Sequence, residues 1–113
     1  MSDCLFCKII AGEIPSTKVY EDACCYAFRD INPMAPTHVL VVPKAHVGSM
    51  AEIDQADDRT LAACLRACRT VALSEGLGNG FRVVSNCGPD ACQSVQHLHF
   101  HVLGGKQLGA RMD

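Results

Sequence analysis

The 113-residue sequence lacks three features that would point to a membrane, to secretion or to nucleic acid. No apolar run approaches the roughly 18 residues that a membrane-spanning helix needs, so we expect no membrane span. No basic segment followed by an apolar stretch opens the chain, so we expect no signal peptide and a cytoplasmic protein. No lysine or arginine run occurs and the formal net charge is −2, which argues against nucleic-acid binding through the phosphate backbone.

The length favours a single domain over residues 1–113, large enough for one core. Hydrophobic residues make up 49% of the chain, which is too high a fraction for a disordered protein. The sequence also has eight cysteines. Because no secretion signal indicates an oxidising compartment, we expect most of these cysteines to be reduced thiols, some of them on a metal.

The patterns of apolar and polar residues predict an α+β fold with about five mainly antiparallel strands, one short helix and one long helix. The short helix is expected over residues 4–12, with Asp3 as its N-cap and Gly12 at its end. The long helix is expected from about Asp54, which would cap it, to Glu75. The strands are expected at residues 18–21, 24–29, 38–43, 81–86 and 97–103.

Three histidines alternate with apolar residues in the last predicted strand, the segment His97-Leu98-His99-Phe100-His101-Val102-Leu103. Side chains alternate between the two faces of a strand, so the three imidazoles share one face and the apolar residues between them face the core. The whole chain has only five histidines, so chance is a poor explanation for this spacing. Imidazoles arranged in this way can bind a metal, act as general acid or base, or act as nucleophiles.

Two chemistries stay open for this row of imidazoles. A catalytic metal is one, since His-x-His is a common zinc arrangement, but the acidic residue nearest to the strand is Asp90. The other is attack on phosphorus by a neutral imidazole, which gives a labile phosphoramidate that water cleaves. The middle histidine, His99, would then be the nucleophile. Backbone N–H groups of residues 92–95, with the Ser94 hydroxyl, would offset charge on the phosphate oxygens.

The segment 97–103 matches the pattern His-φ-His-φ-His-φ-φ, where φ is apolar, and the chain is thereby identified as resembling the histidine-triad (HIT) family. Further segments resemble the Hint branch of that family: residues 3–15, 28–33 and 35–38, Gln93-Ser94-Val95, and Leu103-Gly104-Gly105. The dinucleoside-polyphosphate hydrolase branch tends to carry Pro-Arg where this chain has Gly104-Gly105. The resemblance covers about residues 3–106.

This resemblance implies a HIT-like fold, a homodimer, and a purine nucleoside phosphoramidase or nucleotide hydrolase that acts on adenosine 5′-monophosphoramidate-type substrates. By the motif match, His99 would become adenylylated, His97 and His101 would flank it, and His38 would complete the polar network. The implied catalytic set is His99, His101, His38 and Ser94. Two other functions stay open: a nucleotide-binding regulatory module with weak activity, and a dinucleoside polyphosphate hydrolase.

The resemblance also implies which residues contact the nucleotide. Asp30 would bind the ribose hydroxyls. The phosphate or leaving group would meet Asn86, Gln93, Ser94, Val95, His99 and His101. The base and sugar would lie against Leu5, Phe6, Ile9, Phe28, Ile31 and Leu40, although each of these apolar residues could equally be plain core.

A lone Cys-x-x-Cys pair, Cys4 and Cys7, opens the chain, and alone it permits a redox pair, half of a metal site, or two thiols on one helix face. Structural zinc needs four ligands. The resemblance to bacterial family members implies a structural zinc held by Cys4, Cys7, His46 and His97, with no metal required for the chemistry. Reduced thiols without a metal are the alternative.

Two features depart from the Hint pattern. Cys92 stands where a glycine is usual and could crowd the phosphate loop. The tail, residues 106–113, lacks the Trp-Pro-Pro ending that helps to shape the leaving-group side of the site in some relatives. The leaving-group preference therefore stays open.

Overall fold

The computed structural model describes residues 3–112, which form one five-stranded antiparallel sheet, two α-helices and two 3-10 turns. The helices are α1 (Leu5–Ile10) and α2 (Asp58–Ser74), and the 3-10 turns cover Met50–Gln55 and Pro89–Ala91. The strands are β1 (Lys18–Glu21), β2 (Cys25–Arg29), β3 (Thr37–Pro43), β4 (Arg82–Val84) and β5 (Phe100–Gly104). The predicted α+β architecture is confirmed.

The sheet has the strand order β1-β2-β3-β5-β4, and every neighbouring pair is antiparallel. All seven residues of β3 are buried, as its run of apolar residues predicts for a strand that is covered on both faces. The register places His101 of β5 between Leu40 of β3 and Val84 of β4. His101 is therefore held on a strand with a hydrogen-bonded neighbour on each side.

The two faces of the sheet carry different layers. Helix α2 covers one face, and the apolar residues that alternate with the histidines, Leu98, Phe100 and Val102, lie in this core as predicted. Helix α1 covers part of the other face, where Phe6 and Ile9 pack in a second cluster with residues of β2 and β3. The imidazoles of His97 and His99 contact the Phe6 ring, so the α1 face carries the histidines.

The start of the long helix is corrected by the structure. Asp57, not Asp54, caps α2, and its carboxylate accepts a hydrogen bond from the Thr60 N–H at 2.8 Å. Asp54 lies inside the 3-10 turn Met50–Gln55, and Ala56 between the two elements is extended. Likewise, the N-cap of α1 is Cys4 and not Asp3, because the Cys4 Sγ accepts the hydrogen bond from the Cys7 N–H.

The histidine strand is shorter than predicted, since β5 begins at Phe100 and not at His97. Pairing with β4 ends at the Val84–His101 pair. Beyond this pair, the hydroxyl of Ser85, which follows Val84, donates a hydrogen bond to the carbonyl of His99, two residues before His101, at 2.8 Å, in place of a ladder bond. The Leu98 N–H donates to the Val47 carbonyl at 2.6 Å. Side-chain and loop contacts therefore hold the first two histidines.

The cysteines are all free thiols. Cys64 and Cys68 of α2 are buried in the core, and burial raises the pKa of Cys68 to about 12. Within residues 3–112, the helices are all too short or too polar to cross a bilayer.

Candidate active site and metal centre

A cavity of about 320 Å³ opens between α1, the loop after β2 and the segment that leads into β5. Every residue of the expected nucleotide contact set lines this cavity, except Asn86 and Gln93. The polar part of the lining includes Asp30, Ser94 and two of the three histidines. Five further residues of the wall were not predicted from the sequence: Ile14, Pro15, Ser16, Arg29 and Asn32.

A backbone carbonyl determines which nitrogen of the neutral His99 ring carries the proton. Its Nδ1 lies 2.7 Å from the carbonyl oxygen of His97, so the Nδ1–H donates to that carbonyl. The lone pair is then on Nε2, at the opposite side of a ring that lines the cavity and is only 3% exposed. The Phe6 ring packs edge-on against it at 5.1 Å and fixes its orientation. This arrangement suits a nucleophile.

A chain of hydrogen bonds fixes the protons of His38 and His101. The Met34 N–H donates to His38 Nδ1 at 3.0 Å, so a neutral His38 carries its proton on Nε2. That Nε2 lies 2.8 Å from His101 Nδ1 and 3.4 Å from an oxygen of Asp30. His101 Nδ1 therefore accepts, and the proton of His101 is on Nε2. The cavity thus holds one imidazole with a lone pair, on His99, beside one with an N–H, on His101.

Burial favours the uncharged form of His38, His97 and His101. It lowers the pKa of His38, against a smaller opposite effect of the Asp30 carboxylate. Burial and the neighbouring imidazoles of His99 and His38 lower the pKa of His101 to about 4. Burial also lowers the pKa of His97.

Gln93 and Asn86 lie outside the cavity lining, and their predicted contacts with a nucleotide remain predictions. The Gln93 amide instead holds the loop before the histidines, because its nitrogen donates to the carbonyls of Gly48 and Val95 and its oxygen accepts from the Gly88 N–H. The loop thereby presents the neighbouring Ser94 to the cavity.

Cys92 is exposed and adopts the left-handed conformation, with φ of 58° and ψ of 39°. Glycine accepts this conformation without strain, and a residue with a Cβ pays roughly 1 kcal/mol for it. Cys92 is absent from the cavity lining, so its effect on the site lies in the backbone of the loop and not in a side chain that fills the phosphate space.

Four side chains bring two sulfurs and two nitrogens together beside the cavity. The ligand atoms of Cys4, Cys7, His46 and His97, which we call the cysteine–histidine cluster, all lie within 4.8 Å of one another. The distances from His97 Nδ1 to the sulfurs of Cys4 and Cys7 are 3.3 and 3.6 Å, and His46 Nδ1 lies 3.4 Å from the Cys7 sulfur. Tetrahedral zinc bonds to sulfur and nitrogen would separate such atoms by about 3.6 Å.

The tautomer of His97 also suits a zinc ligand. Its Nε2 lies 2.8 Å from the Pro43 carbonyl oxygen and donates to it, so the lone pair of Nδ1 faces the two sulfurs. Helix α1 is short, but its first turn places Cys4 and Cys7 on one side, with the Cys4 sulfur capping the turn. Two thiols and two imidazoles in this geometry fit a structural zinc site.

A second group of possible ligands, Asp30, His38 and His101, also lies within 4.8 Å, and we call it the aspartate–histidine cluster. It fits a metal poorly. The Met34 N–H occupies His38 Nδ1, so the Nε2 that faces the cluster carries a proton and has no lone pair to offer. Only two of its three members could act as ligands, and the group is better suited to proton positioning.

Comparison with known proteins agrees with this geometry. The HIT domain family matches residues 11–108, and Cys4 and Cys7 precede the matched part. The chain is 50% identical over 109 residues to the 14 kDa zinc-binding protein of Zea mays, covering 95% of this chain and 85% of that protein. It is 46% identical over 110 residues to adenylylsulfatase HINT1 of Arabidopsis thaliana, covering 95% and 74%.

Solved structures agree as well. A HIT family hydrolase from Legionella pneumophila Philadelphia 1 superimposes with a TM-score of 0.92 at 45% identity, covering 96% of this chain and 97% of that chain. A histidine triad protein from Clostridium difficile gives a TM-score of 0.89 at 47% identity, covering 98% and 97%. The fold, the triad and the relatives agree, and the chain belongs to the HIT domain family.

Proposed function

We propose that the protein is a hydrolase that cleaves nucleoside 5′-phosphoramidates through a nucleotidyl intermediate on His99. The observation that carries this proposal is the hydrogen bond from His99 Nδ1 to the His97 carbonyl, which leaves the Nε2 lone pair for the cavity. The mixed lining of the cavity supports a nucleotide, since apolar residues suit a base and Asp30 suits the ribose hydroxyls.

The proposed reaction has two steps. In the first, His99 Nε2 attacks phosphorus, the P–N bond breaks, and the amine leaves with the proton that the substrate nitrogen carries when it binds. The Nε2–H of His101 donates a hydrogen bond to a phosphate oxygen in this step. In the second, the oxygen of a water molecule attacks phosphorus, the proton of that water passes to solvent, and the bond to His99 breaks.

The other polar residues position these groups. His38 sets which nitrogen of His101 carries the proton, because its own Nε2–H donates to His101 Nδ1. Ser94 lines the cavity and is a donor for a phosphate oxygen. In this proposal Asn86 and Gln93 act at the phosphate side, Gln93 by holding the loop that carries Ser94.

We also propose that the cysteine–histidine cluster binds zinc in a structural role. The metal would be held by Cys4, Cys7, His46 and His97 and would join α1 and the loop after β3 to the segment that carries His99. Zinc supplies stability here, and no step of the proposed chemistry uses it.

A second candidate is cleavage of adenylyl sulfate. The name of the Arabidopsis relative, adenylylsulfatase, favours it, and attack by His99 on phosphorus is the same whether an amine or sulfate leaves. Sulfate needs no proton to leave, so this reaction does not require a protonated leaving group. Nucleotide binding with weak activity, and hydrolysis of dinucleoside polyphosphates, are further possibilities within the family.

Single-turnover kinetics with an adenosine 5′-phosphoramidate that carries a labelled phosphorus test the proposal. The wild type should release the amine in a burst and transfer the label to protein. His99→Ala should form no adduct and lose at least about 10³-fold in kcat, as expected when a nucleophile is removed. Full activity of His99→Ala would refute the nucleophile. Adenylyl sulfate and a dinucleoside polyphosphate, run in parallel, separate the candidate substrates.

We further propose that the protein is a homodimer in the cytoplasm. In the sheet, β4 is an edge strand, and Phe81 and Val83 on or beside it are each about 40% exposed. Edge strands with exposed apolar side chains are typical sites of association. The free thiols suit a reducing compartment. Sedimentation equilibrium should give twice the chain mass of 12.1 kDa, and a monomer mass at micromolar concentration would contradict the dimer.

A further inference from the structure

The hydroxyl of Ser16 lies in the wall of the cavity, and a tyrosine hydroxyl behind the wall forms a hydrogen bond with it. Ser16 is exposed and lines the cavity, and its Oγ lies 2.9 Å from the Oη of Tyr26. Tyr26 itself is only 9% exposed and packs beside Phe28, with ring centroids 5.9 Å apart. Tyr26 is therefore fixed by packing behind the cavity wall, while the Ser16 hydroxyl is accessible from the cavity.

The order of the packed rings locates this pair relative to the nucleophile. His99 packs against Phe6, with ring centroids 5.1 Å apart, and Phe6 packs against Phe28 at 5.4 Å. Tyr26 follows Phe28, and Ser16 follows Tyr26. The row thus begins at the ring of His99 and ends at the hydroxyl of Ser16. If the phosphate lies at His99, as the proposed function requires, the base extends over the apolar rings towards Ser16.

From these positions we infer that Ser16, supported by Tyr26, contacts the edge of the purine that is farthest from the ribose, at C6. This inference rests on the proposed function and adds the base specificity to it. A hydroxyl both donates and accepts, and the tyrosine hydroxyl can take either complementary role. The pair can therefore donate to a 6-keto oxygen or accept from a 6-amino group after the hydroxyls rotate. It selects purines with a polar C6 substituent and does not distinguish amino from keto.

An alternative role for the same hydrogen bond is structural, since it also joins the segment after Pro15 to β2. A structural bond would support every nucleotide equally. Contact with the base would favour nucleotides that have a hydrogen-bonding group at C6. The two roles are therefore distinguished by comparing several bases. A substitution at Ser16 would weaken binding of every nucleotide equally in the structural role, and only of those with a C6 hydrogen-bonding group in the contact role.

Calorimetric binding of three nucleoside 5′-monophosphates tests this inference without requiring turnover. The bases are adenine, hypoxanthine and unsubstituted purine. Wild type should bind the first two with dissociation constants within about threefold of each other, and the unsubstituted purine about fivefold more weakly, as expected for one neutral hydrogen bond. Ser16→Ala should weaken binding of the first two about fivefold and leave the third unchanged, and Ser16→Thr should restore the preference.

Tyr26→Phe is the matched variant for the supporting role. It keeps the Ser16 hydroxyl but removes the hydroxyl that supports it. The ratio of dissociation constants between unsubstituted purine and adenine nucleotides should therefore fall to about half of its wild-type value. Equal weakening of all three nucleotides by Ser16→Ala would overturn the inference and leave a structural bond. A strong wild-type preference between adenine and hypoxanthine would also overturn it. If none of the three nucleotides binds, both this inference and the proposed nucleotide site are wrong.

Discussion

The cysteine–histidine cluster and the aspartate–histidine cluster contain similar residues but present opposite chemistry. In the first, the Pro43 carbonyl takes the Nε2–H of His97, so a lone pair faces the cysteines. In the second, the Met34 N–H occupies Nδ1 of His38, so a proton faces His101 and Asp30. A backbone acceptor thus makes the first cluster suitable for a metal, and a backbone donor makes the second suitable for positioning a proton.

The same rule applies to the nucleophile between the two clusters. His99 donates its Nδ1–H to the His97 carbonyl, which keeps its free lone pair on Nε2. Each of these histidines has one ring nitrogen committed to the backbone, and the role of the other nitrogen follows from that commitment. The contrast between the clusters can be tested by substitutions that affect one and leave the other intact.

At neutral pH, the largest effect on stability is expected when the cysteine–histidine cluster loses a ligand. Cys4→Ala leaves three ligands, so zinc should be lost, and the stability that binding contributes should be lost with it. We expect the melting temperature to fall by roughly 10 °C, equivalent to about 2–3 kcal/mol for a domain of this size. Turnover of the folded fraction should change by less than about tenfold, since the metal takes no part in the chemistry.

Cys24→Ala is the matched control, because Cys24 is a partly buried thiol outside both clusters. It should keep its zinc and change stability by less than about 1 kcal/mol. Elemental analysis and differential scanning calorimetry measure both quantities. Equal zinc content in Cys4→Ala and wild type would show that the cluster is not the zinc site.

An effect of similar size, which develops only as the pH falls, is expected from the aspartate–histidine cluster. In the fold the pKa of His101 is about 4, against an ordinary value of 6.5 in an unfolded chain. Between these pH values the unfolded chain binds more protons than the folded protein, so stability falls as pH falls. The loss between about pH 7 and pH 4 should reach about 3 kcal/mol from His101, and His38, whose pKa is also lowered, adds in the same direction.

Urea unfolding of wild type and His101→Gln between pH 7 and 4.5 measures this contribution. The zinc ligands are the same in both proteins, so their own titration cancels in the difference between the two curves. The difference in unfolding free energy should change with pH, because only the wild type has the buried imidazole. A difference that does not vary with pH would mean that His101 is not desolvated.

Much of this molecule could be predicted from its sequence, because hydrophobic periodicity carries the information. The alternation in residues 97–103 correctly placed Leu98, Phe100 and Val102 in the core, and the apolar run before Pro43 correctly indicated a strand buried on both faces. The zinc ligand set followed from a family resemblance and not from spacing, since Cys-x-x-Cys alone permits several functions.

The errors concern interactions that a periodic pattern does not contain. Asp54 and Asp57 are three residues apart, and both precede an apolar helical pattern, so only the hydrogen bond to Thr60 distinguishes the true cap. The start of β5 depends on where the hydrogen bond from the Ser85 hydroxyl to the His99 carbonyl replaces a backbone hydrogen bond between strands. The Ser16–Tyr26 pair depends on the packing of the segment after Pro15 against β2, which brings together residues ten positions apart.

Titration of the metal-free protein with Co²⁺ tests the contrast between the clusters most directly, because optical spectra report both the number of ions and their ligands. We predict one tetrahedral ion per chain with intense thiolate-to-cobalt absorption, lost in the Cys4→Ser/Cys7→Ser variant and unchanged in Asp30→Asn. A second bound ion that disappears in Asp30→Asn, or a first ion without thiolate absorption, would contradict the conclusion that backbone partners reserve one cluster for metal and the other for protons.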